Sequence, residues 1–178
     1  DRIVIGSENS KARFFTKNIY FKFNNKYFHF TNLKTAELIK CASNSLFGTL
    51  ISFSNEVSNL ANTIGGIDTK DLFDGIIKDR RITTKINSNF FRTAGIASYI
   101  SPGPGFGGSC LPKDILSLVR FGKNNKNKMK ILDAVFKTNK NQYLKIVKYI
   151  KNELLNSKIK TETILGLSFK PDTDDLRE

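Results

Sequence analysis

The chain has 178 residues, of which 39% are hydrophobic and 11% aromatic, so it can bury a core and is not a disordered tail. No apolar run reaches the roughly 20 residues that a helix needs to cross a bilayer, so we expect no membrane partner. The formal charge of +13, from 29 basic and 16 acidic residues, suits a polyanion. Much of this charge is lysine interleaved with asparagine at residues 123–128, without a nucleic-acid-binding motif. We therefore expect no nucleic-acid partner, and an attraction for a negatively charged nucleotide.

The two cysteines, Cys41 and Cys110, predict a reducing compartment, the cytoplasm, rather than a disulfide framework. The sequence alone leaves a bond between them open. The chain starts with Asp rather than Met and stops abruptly after Leu-Arg-Glu, so we expect it to be one piece of a larger enzyme.

The predicted elements begin with a short strand at residues 1–6. Aromatic residues separated by polar ones over residues 20–30 predict a second strand that leads into a long helix. That helix is expected to begin near residues 31–35 and to run to about residue 63, where two glycines stop it. Its length suits an oligomer interface as well as a core.

A capped helix is predicted from residue 68 to about residue 78, whereas residues 80–101 give no clear pattern. The glycine-rich loop, residues 102–109, is too rich in Gly and Pro for a regular element. A helix is expected from about residue 111, and a long amphipathic helix over roughly residues 128–156. Residues 161–168 predict a buried strand that enters a new α/β unit.

Cys110 directly precedes the helix that follows the glycine-rich loop. A thiol reacts as its thiolate, which the positive end of a helix stabilises. Asp114 falls on the same helix face one turn later, where it can orient a water or accept a proton. The small loop residues let backbone N–H groups approach an anion or a sugar. Although cysteine is often only a small buried hydrophobe, which is how we interpret Cys41, this context predicts that Cys110 is an activated nucleophile.

Two other kinds of site are weak interpretations. Gly103, Gly105 and Gly108 fit G-x-G-x-x-G, but prolines 102 and 104 disfavour the strand that should directly precede a dinucleotide-binding turn. The single histidine, His29, gives too few ligands for a zinc site, so we expect no metal.

Three segments, in order, carry a resemblance to a known family. Residues 35–44 read Thr-Ala-Glu-Leu-Ile-Lys-Cys-Ala-Ser-Asn, and residues 105–114 read Gly-Phe-Gly-Gly-Ser-Cys-Leu-Pro-Lys-Asp. Residues 166–178 read Gly-Leu-Ser-Phe-Lys-Pro-Asp-Thr-Asp-Asp-Leu-Arg-Glu. The chain thereby resembles the UDP-glucose/GDP-mannose dehydrogenase family of nucleotide-sugar 6-dehydrogenases over nearly its whole length.

The resemblance implies a mainly α fold, a long-helix central dimerisation domain flanked by remnants of two α/β Rossmann-like domains. Residues 1–30 would end the N-terminal NAD-binding domain, residues 31–156 would form the central helical dimerisation and catalytic-loop domain, and residues 157–178 would begin the C-terminal nucleotide-sugar-binding domain. A homodimer through the long helix is expected. Because a catalytic glutamate expected in the N-terminal domain is missing, the chain by itself is expected to be inactive.

The resemblance also implies the reaction. The family oxidises the C6 alcohol of a nucleotide sugar to a carboxylate with two NAD molecules, through a thiohemiacetal and a thioester on the catalytic cysteine, here Cys110. UDP-glucose is the expected substrate because of its frequency in the family. A UDP-N-acetylhexosamine, GDP-mannose, or a non-catalytic role as a dimerisation module are the alternatives.

By motif position, Asp114 would assist base and water chemistry, and Lys40 and Asn44 would hold the oxyanion and an ordered water. An ordinary solvated helix face is the alternative for Lys40 and Asn44. Arg81 resembles an arginine that reaches a partner subunit's substrate, and residues 81–103 form a longer stretch than the common pattern. The remaining implied contacts are with substrate, from Gly105, Phe106, Gly107 and Lys170, and with cofactor, from Gly108 and Arg177.

Overall fold

The computed structural model describes residues 2–23, 27–88, 90–156, 158, 161–166, 168, 172–174 and 176. Within these ranges the chain is mainly helical, as the sequence predicts. It divides into two compact units, Asp1–Ser43 and Asn44–Glu178. In the described ranges, no helix combines the length and the apolarity that crossing a membrane requires.

The first unit is built around a pair of short parallel strands. β1 (Ile3–Gly6) pairs with β2 (Phe28–Thr31), with Ile3 opposite Phe28. The connection between them contains α1 (Ser10–Ile19), since parallel neighbours need a crossover of this kind. The Asn9 side chain caps α1 by accepting the N–H of Lys11 at 2.8 Å.

Two features of this unit differ from the sequence-based expectation. α1 was not predicted, and the strand expected over residues 20–30 is too long. Among the described residues of this stretch, Phe21–Phe23 forms a 3-10 helix and Phe28–Thr31 is a strand. β1 offers four residues for pairing, and its first N–H, that of Ile3, already donates to the Tyr27 carbonyl, so residues 20–23 have no strand to pair with.

The described residues of the second unit contain a β-hairpin and three whole helices. They also contain the larger part of a fourth helix, which begins in the first unit. The long helix and the next three helices fall where the sequence predicts them. Residues 80–101, which gave no pattern, form a β-hairpin and a 3-10 helix. In chain order the elements are α2 (Leu33–Ile64), α3 (Thr69–Ile77), β3 (Thr83–Asn87), β4 (Phe90–Thr93), a 3-10 helix (Gly95–Tyr99), α4 (Leu111–Asn124) and α5 (Lys130–Asn156).

The core of this unit lies where α4 and α5 pack together and includes a residue of the glycine-rich loop. Ile115 of α4 is fully buried, and the loop's Phe106 is buried to a similar degree as Leu118. α5 contributes Leu132 and Val135. The apolar face of each helix therefore holds the glycine-rich loop against the core, which positions the residues that follow it.

Residue 167 of the strand expected at residues 161–168 lies outside the described residues, and the others do not form a strand. Residues 161–166 have no regular secondary structure and are exposed. A strand needs a neighbouring strand for its N–H and C=O groups, and β1 and β2, like β3 and β4, are paired only with each other in the described part of the chain.

Two helical glycines, one tightly packed and one in open space, should respond in opposite ways to replacement by alanine. A methyl group on Gly122 would meet the Asn127 carbonyl oxygen and come within 2.6 Å of Met129 Cγ, so Gly122→Ala should lower the free energy of unfolding by about 1–3 kcal/mol. Gly75, in α3, has open space around it, so Gly75→Ala should raise that free energy by about 0.5–1 kcal/mol. Urea unfolding of both variants measures this; changes of the same sign would contradict the packing described.

Candidate active site

The glycine-rich loop, residues 102–109, lies between the 3-10 helix Gly95–Tyr99 and α4, and it contains no regular element, as predicted. A 3-10 helix, not a strand, precedes its G-x-G-x-x-G spacing. Gly103, Gly105 and Gly108 therefore do not form a βα dinucleotide turn. The described residues also contain no cluster of three or more His, Cys, Asp or Glu side chains that could hold a metal ion.

Cys110 lies at the N-cap position of α4, where the sequence places it. It is exposed and not in a disulfide, and its Sγ lies 3.8 Å from the Ser109 hydroxyl. Its carbonyl accepts the N–H of Asp114 at 3.0 Å, so the residue begins the helix with its backbone while its side chain makes no capping bond. The thiol is therefore accessible at the start of a 14-residue helix, where a substrate can reach it.

Asp114 and Asn44, both predicted site residues, meet in the structure. Asp114 is 3% exposed, and its Oδ2 accepts a hydrogen bond from Asn44 Nδ2 at 2.6 Å. Lys113 Nζ lies 3.9 Å from Oδ1. A buried carboxylate needs such donors to remain in place, so Asn44 ties α2 to the first turn of α4 directly after Cys110.

The structure leaves several other predicted site residues untested. Lys40 is an exposed residue of α2 that belongs to the first unit, and its role stays a prediction. Lys170 and Arg177 lie outside the described residues, so their predicted contacts stay predictions as well. Gly107 and Gly108 lie in the glycine-rich loop, next to Cys110 in the chain.

Arg81 follows α3 and makes a fork-like pair with Asp79. Its Nε and Nη2 donate to the two carboxylate oxygens of Asp79 at 2.9 and 2.7 Å. These hydrogen bonds hold the pKa of Asp79 well below its usual range and raise the pKa of Arg81. The Arg81 side chain is 89% exposed. Among the described residues it binds Asp79 and not the glycine-rich loop.

Three amide side chains that sequence reasoning missed hold the backbone of the glycine-rich loop. The Gly103 N–H donates to Asn55 Oδ1 at 2.7 Å, and Gln142 Nε2 donates to the Gly103 carbonyl at 3.0 Å. Asn139 accepts the Phe106 N–H at 2.8 Å and donates to the Phe106 carbonyl at 2.9 Å. A signal was present: Asn139 and Gln142 continue the three- and four-residue spacing of the buried face of α5, where apolar residues are expected.

A cleft of about 580 Å³ opens beside the loop. It brings the predicted substrate-binding residues Gly105, Phe106 and Gly107 together with side chains of α5 that the sequence did not single out. Those are Phe136, Asn139, Lys140 and Tyr143; Pro104, Pro112 and Ser168 complete the lining.

Comparisons with known proteins show which family the chain resembles. The UDP-glucose/GDP-mannose dehydrogenase family, central domain, matches residues 34–141. The chain is 42% identical over 181 residues to the UDP-glucose 6-dehydrogenase of Rickettsia bellii, covering 99% of this chain and 38% of that protein. The chain thus spans less than two-fifths of the length of this curated relative.

Two solved structures are also similar. A UDP-glucose dehydrogenase from Pyrobaculum islandicum superposes with a TM-score of 0.81 at 34% identity, covering 100% of this chain and 38% of that one. A UDP-D-ManNAc dehydrogenase from Pyrococcus horikoshii gives a TM-score of 0.76 at 28% identity, covering 98% and 38%. Since the family match covers more than half of the chain, the chain belongs to the UDP-glucose/GDP-mannose dehydrogenase family.

Proposed function

We propose that this chain is the central region of an NAD-dependent nucleotide-sugar 6-dehydrogenase that oxidises UDP-glucose to UDP-glucuronate. The observation that carries the proposal is the exposed Cys110 thiol at the start of α4, at the end of a glycine-rich loop. The name UDP-glucose 6-dehydrogenase of the relative at 42% identity supports it. Because both cysteines are free thiols, the cytoplasm is the proposed location.

Cys110 would act on the aldehyde stage of the oxidation. Its thiolate adds to C6 of the sugar aldehyde, and the aldehyde oxygen takes up a proton from water to become the hydroxyl of a thiohemiacetal. Loss of a hydride and a proton leaves a thioester, and water then releases the carboxylate and the thiolate. NAD would supply the hydride acceptor for each of the two oxidations. Gly108 of the glycine-rich loop and Arg177, which lies outside the described residues, are the proposed NAD contacts, and other parts of the longer protein would hold the rest of the cofactor.

Asp114 would orient the water that attacks the thioester and accept its proton. Its hydrogen bond to Asn44 fixes one carboxylate oxygen and limits the rotation of the group. Lys40, one helical turn before Asn44 in the sequence, would stabilise the negative oxygen that forms when the thiolate or water attacks.

The cleft beside the loop would take the nucleotide sugar. The N–H groups of Gly105 and Gly107 have no hydrogen-bond acceptor among the described residues, and they line this cleft with the cationic Lys140. Free N–H groups and a positive charge suit a diphosphate. Lys170 and Arg81, the latter from a partner subunit, would complete the substrate contacts. Since a UDP-D-ManNAc dehydrogenase is also similar to this chain, UDP-N-acetylhexosamines are alternative substrates. GDP-mannose is another, because the family description includes it.

The partner subunit would be a second copy packed along α2. Leu46, Phe53 and Leu60 repeat at seven-residue intervals and are 50%, 51% and 59% exposed. A helix with such a stripe has apolar surface that a second helix of the same kind can cover.

Replacing the nucleophile should stop turnover of the longer protein. We expect two NADH per UDP-glucose from the unmodified protein, and a rate at least roughly 100-fold lower for Cys110→Ser, because the removed thiol is the nucleophile. NADH release is measured with UDP-glucose, UDP-N-acetylhexosamines and GDP-mannose in parallel. Unchanged turnover by Cys110→Ser, or NADH production by this chain alone, would contradict the proposal.

Loss of the Asp114 carboxylate should lower kcat, whereas loss of a carboxylate elsewhere should not. Asp114→Asn keeps the shape of the side chain but removes the base, so kcat should fall by about 100-fold or more. Asp133→Asn is the matched control, since Asp133 is a half-buried residue of α5 paired with Lys137. Equal kcat values for the two folded variants would remove Asp114 from the proposed chemistry.

The oligomer depends on the exposed stripe of α2. Light scattering should give the mass of a dimer for the unmodified longer protein, and Phe53→Asp should shift it towards the monomer by placing a charge in an apolar interface. Phe121→Asp, a change of the same kind at a 65% exposed position of α4, should leave the mass unchanged. A dimer that withstands Phe53→Asp would place the interface elsewhere.

A further inference from the structure

The Asn139 side chain binds both backbone polar groups of one loop residue, the N–H and the C=O of Phe106. It does so as a neighbouring strand would, with an amide that carries no charge. Rotating the Phe106 backbone would break two hydrogen bonds at once, and burial of these groups makes each loss costly.

The surroundings leave the loop little room to move at this point. Gly105 has φ of +107°, and a methyl group there would lie 2.5 Å from Asn139 Oδ1, so the close approach of Asn139 requires glycine. The Phe106 ring is buried on the side of α2, where a methyl on Gly48 would come within 3.2 Å of it. Phe106 is therefore fixed by its backbone through α5 and by its ring through α2.

Only three residues, Gly107, Gly108 and Ser109, separate Phe106 from Cys110. α4 begins at the next residue and is anchored by Ile115, which is fully buried. A link this short between two fixed points passes any shift of Phe106 on to the thiol and to the loop N–H groups. Asn139 itself adds no charge near the thiol, because its amide is neutral.

We propose that Asn139 is a positioning residue that holds the glycine-rich loop so that the Cys110 thiol stays at the start of α4. It does not touch the thiol and acts only through the Phe106 backbone. Gln142 and Asn55 hold Gly103 in the same way, at the other end of the constrained segment. The effect on turnover rests on the proposed function, whereas the effect on the thiol does not.

The test compares Asn139→Ala with Asn141→Ala. Asn141 is an exposed residue of α5 whose side chain has no hydrogen-bond partner among the described residues. Alkylation of Cys110 by iodoacetamide, followed by peptide mass spectrometry, should be several-fold slower in Asn139→Ala, because the thiol is no longer held in the field of the helix. In the longer protein, kcat should fall roughly 10- to 100-fold with a smaller change in KM. Asn141→Ala should match the unmodified protein in both measurements.

Asn139→Asp provides a second variant that keeps the size of the side chain. Its ionised carboxylate can accept the Phe106 N–H but repels the Phe106 carbonyl, whereas the protonated form regains a donor. Burial beside the Phe106 carbonyl disfavours the charged carboxylate, so this carboxyl should take up its proton at or above the usual pKa of about 3.9. Between about pH 7 and about pH 4, the ratio of its alkylation rate to the unmodified rate at the same pH should therefore rise towards one.

Two results would overturn the proposal. One is equal alkylation of Asn139→Ala and Asn141→Ala, both folded by circular dichroism. The other, decisive if Asn139→Ala does not fold, is a rate ratio for Asn139→Asp that stays constant with pH. If no nucleotide sugar is oxidised, the proposed function fails while the alkylation comparison still tests the role of Asn139.

Discussion

The backbone of the glycine-rich loop has no helix or sheet of its own, so its polar groups depend on side chains from two helices. Buried N–H and C=O groups without partners are costly, and here Asn55, Asn139 and Gln142 provide the partners. Amides suit this role because they both donate and accept without adding charge beside a thiol. The arrangement lets a segment of glycine and proline keep one conformation while leaving other N–H groups open to the cleft.

The same loop explains why the site combines rigidity with access. Phe106 is buried in the core, yet Cys110, four residues later, is exposed. The change takes place over Gly107, Gly108 and Ser109, whose small side chains leave the approach to the thiol open. The hydrogen bond between Asn44 and the buried Asp114 ties α2 to α4, so Cys110 and Asp114 are both held at the start of one helix.

Helices with strong periodicity were predictable from the sequence, because their apolar spacing and their caps act locally. α2, α3, α4 and α5 lie where predicted, and so does Cys110 at the start of α4. Features that depend on distant partners were not predictable. The segment at residues 20–30 is a strand only where β1 pairs with it, and residues 161–166 form none. The amide side chains on α2 and α5 were missed because a polar residue on a helix is normally expected to face solvent. The loop backbone groups that they bind are known only from the structure.

The longer segment at residues 81–103 also became interpretable only in the structure. The antiparallel pairing of β3 with β4 gives it a defined shape, and Ile86, Phe90 and Phe91 remain 56%, 55% and 59% exposed. Apolar residues at these levels of exposure are common on protein surfaces, so they do not by themselves define a binding surface.

The central claim is that Cys110 forms a covalent bond to the oxidised sugar. The most direct measurement is peptide mass spectrometry of the longer protein, acid-quenched during turnover with NAD and UDP-glucose, in the Asp114→Asn variant that should hydrolyse the thioester slowly. The account predicts an acyl adduct on the peptide that contains Cys110, absent when NAD is omitted. An unmodified Cys110 during active turnover, or an adduct on Cys41 instead, would contradict it.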